Sequence, residues 1–323
     1  MTNTFTNING YLRKIPSALA GLALAIASLG LCWESVANLH LKGVGQLSGA
    51  IIAGCILVPL FFKFMFNPHL LVQDLQHPVA GSVIPTMTMA TMVIANSIAL
   101  YHFQLGLLFS FLATILHLYF LGAFIFYRSK GFKFKQILPG WFVPPIGLLI
   151  VLMMHPGGVN PVFSEFLLKF GLFSYALLLP LVLYRLLFSE KLAPGEKPTL
   201  VILAAPASLL LAGYFAVVTQ PSYLMVAILF FLALLMTLFV YAAFIKLLRL
   251  PFTPAYSAFT FPLVVGAIAL FKTSNFLLKE DFDIKLVEIT LQLANIELII
   301  ATMMVGYVSY RYVLYFCQLK NAQ

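Results

Sequence analysis

The stretch "AFTFPLVVGA", residues 258–267, decides how the chain is read. It lies in a long apolar run, yet it holds Pro262 with the bulky Phe261 directly before it. A proline inside a helix removes the bond to residue i−4 and clashes with that carbonyl, at ~3 kcal/mol or more. The surrounding composition sets the solvent in which that cost falls. Of 323 residues, 62% are hydrophobic and 9% charged, against about a quarter charged in soluble domains. The mean hydropathy is +1.01, and apolar runs of about twenty residues recur, which is the length a bilayer demands. In lipid a freed carbonyl finds no water, so a neighbouring helix or a water-filled cavity must meet it.

Working outward from this stretch, ten apolar segments follow one another, at 15–35, 46–66, 80–101, 104–127, 140–156, 164–188, 199–219, 222–246, 255–273 and 289–316. All ten are expected to be helices, since lipid forces the backbone to satisfy itself. The fifth is short. Short turns such as "TQPS" join several pairs, so the chain reads as five consecutive helical hairpins in one membrane domain, 1–323. The polar start 1–14 and the tail 317–323 are expected to be cytoplasmic. No cleavable leader is expected, because the first apolar run is too long for one and no A-x-A site closes it.

The net charge of +9 sorts by side. Fourteen of the 19 basic residues fall on the side of the two termini, and Lys42, Lys169, Lys272, Lys279 and Lys285 fall on the other. The positive-inside rule then places both termini in the cytoplasm of a plasma or inner membrane. This bias absorbs most of the positive charge, so no nucleic-acid partner is implied. Cys32, Cys55 and Cys317 lack metal or redox spacing and read as apolar residues. No metal and no cofactor are expected.

The odd segments repeat one feature. Aligned on proline they read "RKIPSALAGLAL", "SVIPTMTMATMV", "WFVPPIGLLIVL", "LAAPASLLLAGY" and "FTFPLVVGAIAL". The prolines are Pro16, Pro85, Pro144, Pro206 and Pro262, separated by 69, 59, 62 and 56 residues. Each interval fits one hairpin. Five prolines at matched depth are expected to kink five helices around one lumen, with quasi-five-fold symmetry, while the even segments form an outer ring facing lipid. Pro59 and Pro180 lie in even segments, so proline alone does not mark the inner ring.

The motifs "GWFVPPIGLLIVL", "PTLVILAAPASLLLAGY" and "SAFTFPLVVGAIAL", in that order, resemble the tellurite-resistance/dicarboxylate transporter family. That family includes the bacterial tellurite-resistance protein TehA, fungal malate permeases, sulfite exporters and the slow-type anion channels of plant guard cells. The resemblance covers essentially the whole chain. It implies ten helices in five hairpins, odd helices lining a central pore, a homotrimer with one pore per subunit, and a phenylalanine plug on the ninth helix. The matching position is Phe261.

The residues preceding the prolines form one expected layer: Ile15, Ile84, Val143, Ala205 and Phe261. Four are aliphatic, and only the ring could reach across a lumen, where an apolar constriction gates by dewetting. The alternative is ordinary packing, since the chain holds 31 phenylalanines. Thr86, Ser208 and Thr260 are the polar lining candidates, with Thr88 and Asn96 nearby. No Lys or Arg falls near the prolines mid-segment, which suits weak binding and fast passage of small inorganic or carboxylate anions.

Glu297 and His117 are the ionisable residues inside apolar segments. Glu297 could be a coupling site for protons or a protonated structural acid; His117 reads more simply as a satisfied interfacial side chain. Lys272 could snorkel or charge an outer vestibule. The leading expectation is a gated anion channel. Its rival is a proton-coupled carrier of C4-dicarboxylates such as malate, or of sulfite. A membrane enzyme is remote: no His–Glu–x–x–His pair and no G-x-S-x-G element occurs.

Overall fold

The even segments fold as the apolar runs predict. In the computed structural model, which describes residues 9–36 and 40–321 with side chains to 319, they are the helices Val44–Phe66, Phe103–Ser129, Pro161–Phe188, Tyr223–Leu247 and Ile284–Asn321. Residues 1–8 of the polar start and the last two of the tail lie outside the described residues. Only 33% of the most apolar stretch of each even helix is buried within the protein. Their outer faces present Phe111, Tyr119, Phe173, Leu224 and Phe231. A soluble protein would hide such rings; a lipid-facing helix need not.

The odd segments are built differently. Segment three is two helices, Pro78–Val83 and Thr86–Ala99. Segment five is a 3₁₀ turn, Pro139–Phe142, followed by two five-residue helices, Val143–Gly147 and Ile150–Met154. Segment seven is a 3₁₀ run, Lys197–Ala204, and the helix Ala205–Val217. Segment nine is a 3₁₀ run, Pro254–Phe259, and the helix Phe261–Lys279. Segment one enters through a chain of i→i+3 turns from Lys14 to Gly21 into the helix Leu19–Glu34. In the most apolar stretches of segments three, seven and nine, 61%, 78% and 83% of residues are buried.

This corrects the reading of the prolines as kinks in continuous helices. Pro144, Pro206 and Pro262 occupy the first turn of an α-helix. Pro85 is the residue just before one, and Pro16 lies three residues ahead of another. In a first turn the missing N–H would have had no intrahelical partner, and φ is already suited, so proline is favoured there. The prolines therefore mark where a tight lead-in stops and an α-helix begins. The two prolines that do lie inside helices are Pro59 and Pro180, both in the outer set.

Among the described residues, eight helical stretches are long and apolar enough to cross a membrane. The helix of segment one has 16 residues, and segment five is broken into pieces, so neither passes that criterion although both lie in the apolar runs of the sequence. An amphipathic helix between segments two and three, Pro68–Gln76, was not foreseen. The helix of segment ten runs well past its expected end to Asn321. No strand occurs among the described residues.

The odd segments pack side by side in the order one, three, five, seven, nine, and nine returns to one. Each even helix lies outside, most extensively against the odd segment of its own hairpin in the pairs one–two, three–four and nine–ten. The breaks in the inner ring are sealed by side chains from outside. His117, fully buried in segment four, donates from Nε2 to the Pro144 carbonyl (2.9 Å), which leaves Nδ1 to pair with the Thr88 hydroxyl (2.8 Å). The imidazole thus ties segment four to the short helix Val143–Gly147 of segment five and to Thr88 of segment three.

Candidate pore

One narrow cavity of about 50 Å³ lies inside the ring and draws lining residues from all five odd segments. They include Gly21 from segment one, Thr86 and Met89 from three, Val143 and Ile146 from five, Ala205 and Leu209 from seven, and Ser257 and Phe261 from nine. No charged side chain lines it. Thr86, Val143, Ala205 and Phe261 are each the first residue of an α-helix, so four helix N-termini open on this space. Their leading amides are largely taken up by the 3₁₀ lead-ins, as Val143 N–H donates to the Gly140 carbonyl and Ala205 N–H to the Ile202 carbonyl. The lining is therefore neutral and mostly apolar, with the Thr86 and Ser257 hydroxyls as its polar side chains.

The sequence candidates divide. Val143, Ala205 and Phe261 line the cavity together, as do Pro206, Pro262 and Thr86. Phe261 is 8% exposed, and that exposure is to this space. Ile84 does not join them; it packs against Leu75 and Phe120 in a separate apolar cluster. The reason is a shift of one position: Pro85 precedes its helix rather than entering the first turn, so Thr86 takes the place at the helix start. Pro85 and Pro144 are not among the lining residues. Thr260 is fully buried and its hydroxyl donates to the Ser257 carbonyl. Ser208 faces a different space, beside Glu297. Met89, Phe142, Ile146, Ile202 and Leu209 are lining residues that an apolar sequence offers no signal to single out.

Ile15 and Pro16 lie on a second, wider cavity of about 520 Å³ at the end where the odd segments begin. Val83, Ser257 and Ala258 line both spaces, so the two adjoin. The wider one carries Arg13, Lys14, Lys63 and His77, with Asp74 as its carboxylate. Lys63 is buried. Its ammonium donates to the Ile15 carbonyl (2.8 Å) and to the Ser17 hydroxyl (2.9 Å) and lies 3.5 Å from Asp74. Ser17 also donates to Asp74. The Ile15 carbonyl lacks a helical donor because Leu19 bonds back to Pro16 instead. The lysine fills that vacancy and ties the entrance of segment one to segment two and to the helix Pro68–Gln76. Sequence reading counted Lys63 only as a topological charge.

The lead-in to Phe261 is braced by the end of segment ten. The Tyr312 hydroxyl donates to the Pro254 carbonyl at 2.6 Å. The Arg311 guanidinium lies over the rings of Phe252 and Tyr256, 5.3 and 5.6 Å from their centroids. Tyr256 in turn packs on Phe259 at 4.5 Å.

With this geometry in view, comparison with known proteins is informative. The model of the family described as SLAC1, voltage-dependent anion channel, matches residues 14–313. The chain belongs to this family. It is also similar to two proteins of Methanocaldococcus jannaschii, each named an uncharacterized transporter. One, MJ0762, is 27% identical over 249 residues, covering 64% of this chain and 70% of the relative. The other, MJ0576, is 26% identical over 241 residues, covering 64% and 67%. The resemblance read from three proline-centred motifs and the family match agree, and the chain is an integral membrane protein of an anion channel and transporter family.

Proposed function

We propose that this protein is a gated anion channel whose conduction path runs from the basic vestibule into the cavity between segments one, three, five, seven and nine, with Phe261 as the plug. The observation that carries the reading is the uncharged cavity on which four α-helices begin, with Phe261 the first residue of one of them. A neutral lining with few hydroxyls binds anions weakly and does not fix them as a lysine would. Weak, distributed attraction suits passage, since an ion must also leave. Arg13, Lys14 and Lys63 at the wider mouth raise the local anion concentration within the Debye length of about 8–10 Å. A proton-coupled carrier would want a titratable group in the path, and none lines the inner cavity.

On this reading the ten apolar segments cross the membrane as five hairpins with quasi-five-fold symmetry, in one domain, with both termini in the cytoplasm of a plasma or inner membrane. The substrates are small inorganic or carboxylate anions, and the assembly is a homotrimer with one pore per subunit. The test is electrogenic flux in liposomes for chloride, nitrate, sulfite and malate, with wild type beside Phe261→Ala. The variant conducts more than wild type. Unchanged or abolished flux in well-folded Phe261→Ala overturns the plug, and strict proton coupling overturns the channel in favour of the carrier. A detergent-corrected mass equal to a monomer or dimer removes the trimer.

A further inference from the structure

Glu297 lies off the conduction path, on the back of the helix that carries Phe261. It sits in segment ten and is 4% exposed. Its Oε2 accepts a hydrogen bond from the Tyr241 hydroxyl of segment eight. Its Oε1 is buried with no hydrogen-bond partner. That same Oε1 is 3.0 Å from where a Cβ on Gly266 would stand. Gly266 is five residues beyond Phe261 in the same helix, so the bare glycine is what lets the carboxyl seat against it. Beside them is a small cavity lined by Ser208, Thr237, Gly266, Ala269 and Glu297, with room for about one water. Four segments, seven to ten, meet at this carboxyl.

The groups that face it are few. Segment eight supplies Tyr241 and the Thr237 hydroxyl, segment seven the Ser208 hydroxyl, and segment one the Cys32 thiol, close enough to feel its charge. Segment nine contributes Gly266 and Ala269, and no charge. Among the described residues no Lys, Arg or His lies within ion-pair distance of Glu297. An ionised carboxylate here would be an unpaired charge in a membrane interior. A neutral acid fits each observed contact. Its carbonyl oxygen is Oε2, which accepts from Tyr241. Its hydroxyl is Oε1, the atom left without a partner, facing a space where Ser208, already donating to Ala204, has lone pairs to spare.

We propose that Glu297 is a proton-binding site that controls the position of the Phe261 helix, an inference that rests on the plug reading above only for its effect on flux. With the proton bound at Oε1, Gly266 packs directly on a neutral group. When the proton leaves to water, the carboxylate draws water into the cavity, the contact with Gly266 loosens, and the helix start that bears Phe261 is freed. Loss of the proton therefore opens the pore, and alkaline conditions raise conduction.

Infrared difference spectroscopy on the reconstituted protein reads the site without any transport. A protonated carboxylic C=O band disappears as the pH is raised, and that band is missing in Glu297→Gln. No titrating band, or one that persists in Glu297→Gln, overturns the proposal. The band follows pH and not sodium; its loss on adding sodium at fixed pH would make the ligand a metal cation and overturn it too. Tyr241→Phe, which keeps the ring and removes one donor, shifts the band and its midpoint, and an unmoved band likewise sinks the assignment. In flux, wild type rises with pH, Glu297→Gln is flat at the low level, and Glu297→Asp restores the slope. A band that titrates while wild-type flux ignores pH overturns the link to the gate. If no variant conducts at all, the channel reading falls while the infrared result still decides the site.

Discussion

The inner and outer segments of this protein are equally apolar in sequence and opposite in construction. The outer helices are long, unbroken and one-third buried, and two of them carry a proline in mid-helix. The inner segments are short pieces joined at their prolines, and they are 61–83% buried where they form a long apolar stretch. Lipid contact tolerates a kink but no loose backbone, so the outer helices stay whole around Pro59 and Pro180. An enclosed lumen, backed by side chains from the outer layer, tolerates breaks: Lys63 replaces a lost partner at the Ile15 carbonyl, and His117 ties the short helix of segment five to the outer layer. Proline thus lies within an unbroken helix on the outside and near a helix start on the inside.

The largest effect that would sharpen this contrast is on stability. Pro180→Ala restores an interior helical bond and removes a clash, so it should raise detergent unfolding free energy by up to about 3 kcal/mol, whereas Pro262→Ala, in a first turn, should change it little. Equal gains at both positions would erase the distinction. Next, His117→Ala deletes two buried hydrogen bonds, to the Pro144 carbonyl and with the Thr88 hydroxyl, and should cost roughly 1–3 kcal/mol, read as a lower melting temperature. An unchanged melting temperature would mean the break in segment five does not depend on the outer layer. Third, Phe261→Ala should raise flux about tenfold, equivalent to about 1.4 kcal/mol in the barrier, with no comparable gain from Phe120→Ala, a ring buried away from the lumen. The smallest effect is expected for Tyr312→Phe. It deletes one hydrogen bond to the Pro254 carbonyl and should cost about 1 kcal/mol in stability. A larger loss would make the brace on the lead-in to Phe261 more than a single bond.

The residues themselves show how far sequence reading reached. The apolar runs located the even helices to within a few residues, except for the longer tenth, because a helix in lipid is specified by length and apolarity. The proline spacing selected the five segments that share one cavity. Of the residues before the prolines, Val143, Ala205 and Phe261 lie on the cavity, Ile15 lies on the wider one, and Ile84 on neither, since the lining position follows where the α-helix starts and segment three starts one residue later. Ser208 and Glu297 both lie in segments that were read correctly, yet they meet each other across a small cavity outside the ring. No one-dimensional pattern encodes that meeting, because it depends on how four helices are rotated about their axes.

Composition and proline recurrence were therefore enough to establish a helical membrane protein built from paired segments with a distinct inner set, since the hydrophobic effect and backbone satisfaction act on any such chain regardless of its partners. What the packed structure decided is where each inner helix begins, which side chain replaces each missing backbone partner, and which face of the Phe261 helix meets a buried acid. Those depend on distances between segments far apart in the chain, and lipid, which solvates every apolar face alike, leaves no mark of them in the order of the residues.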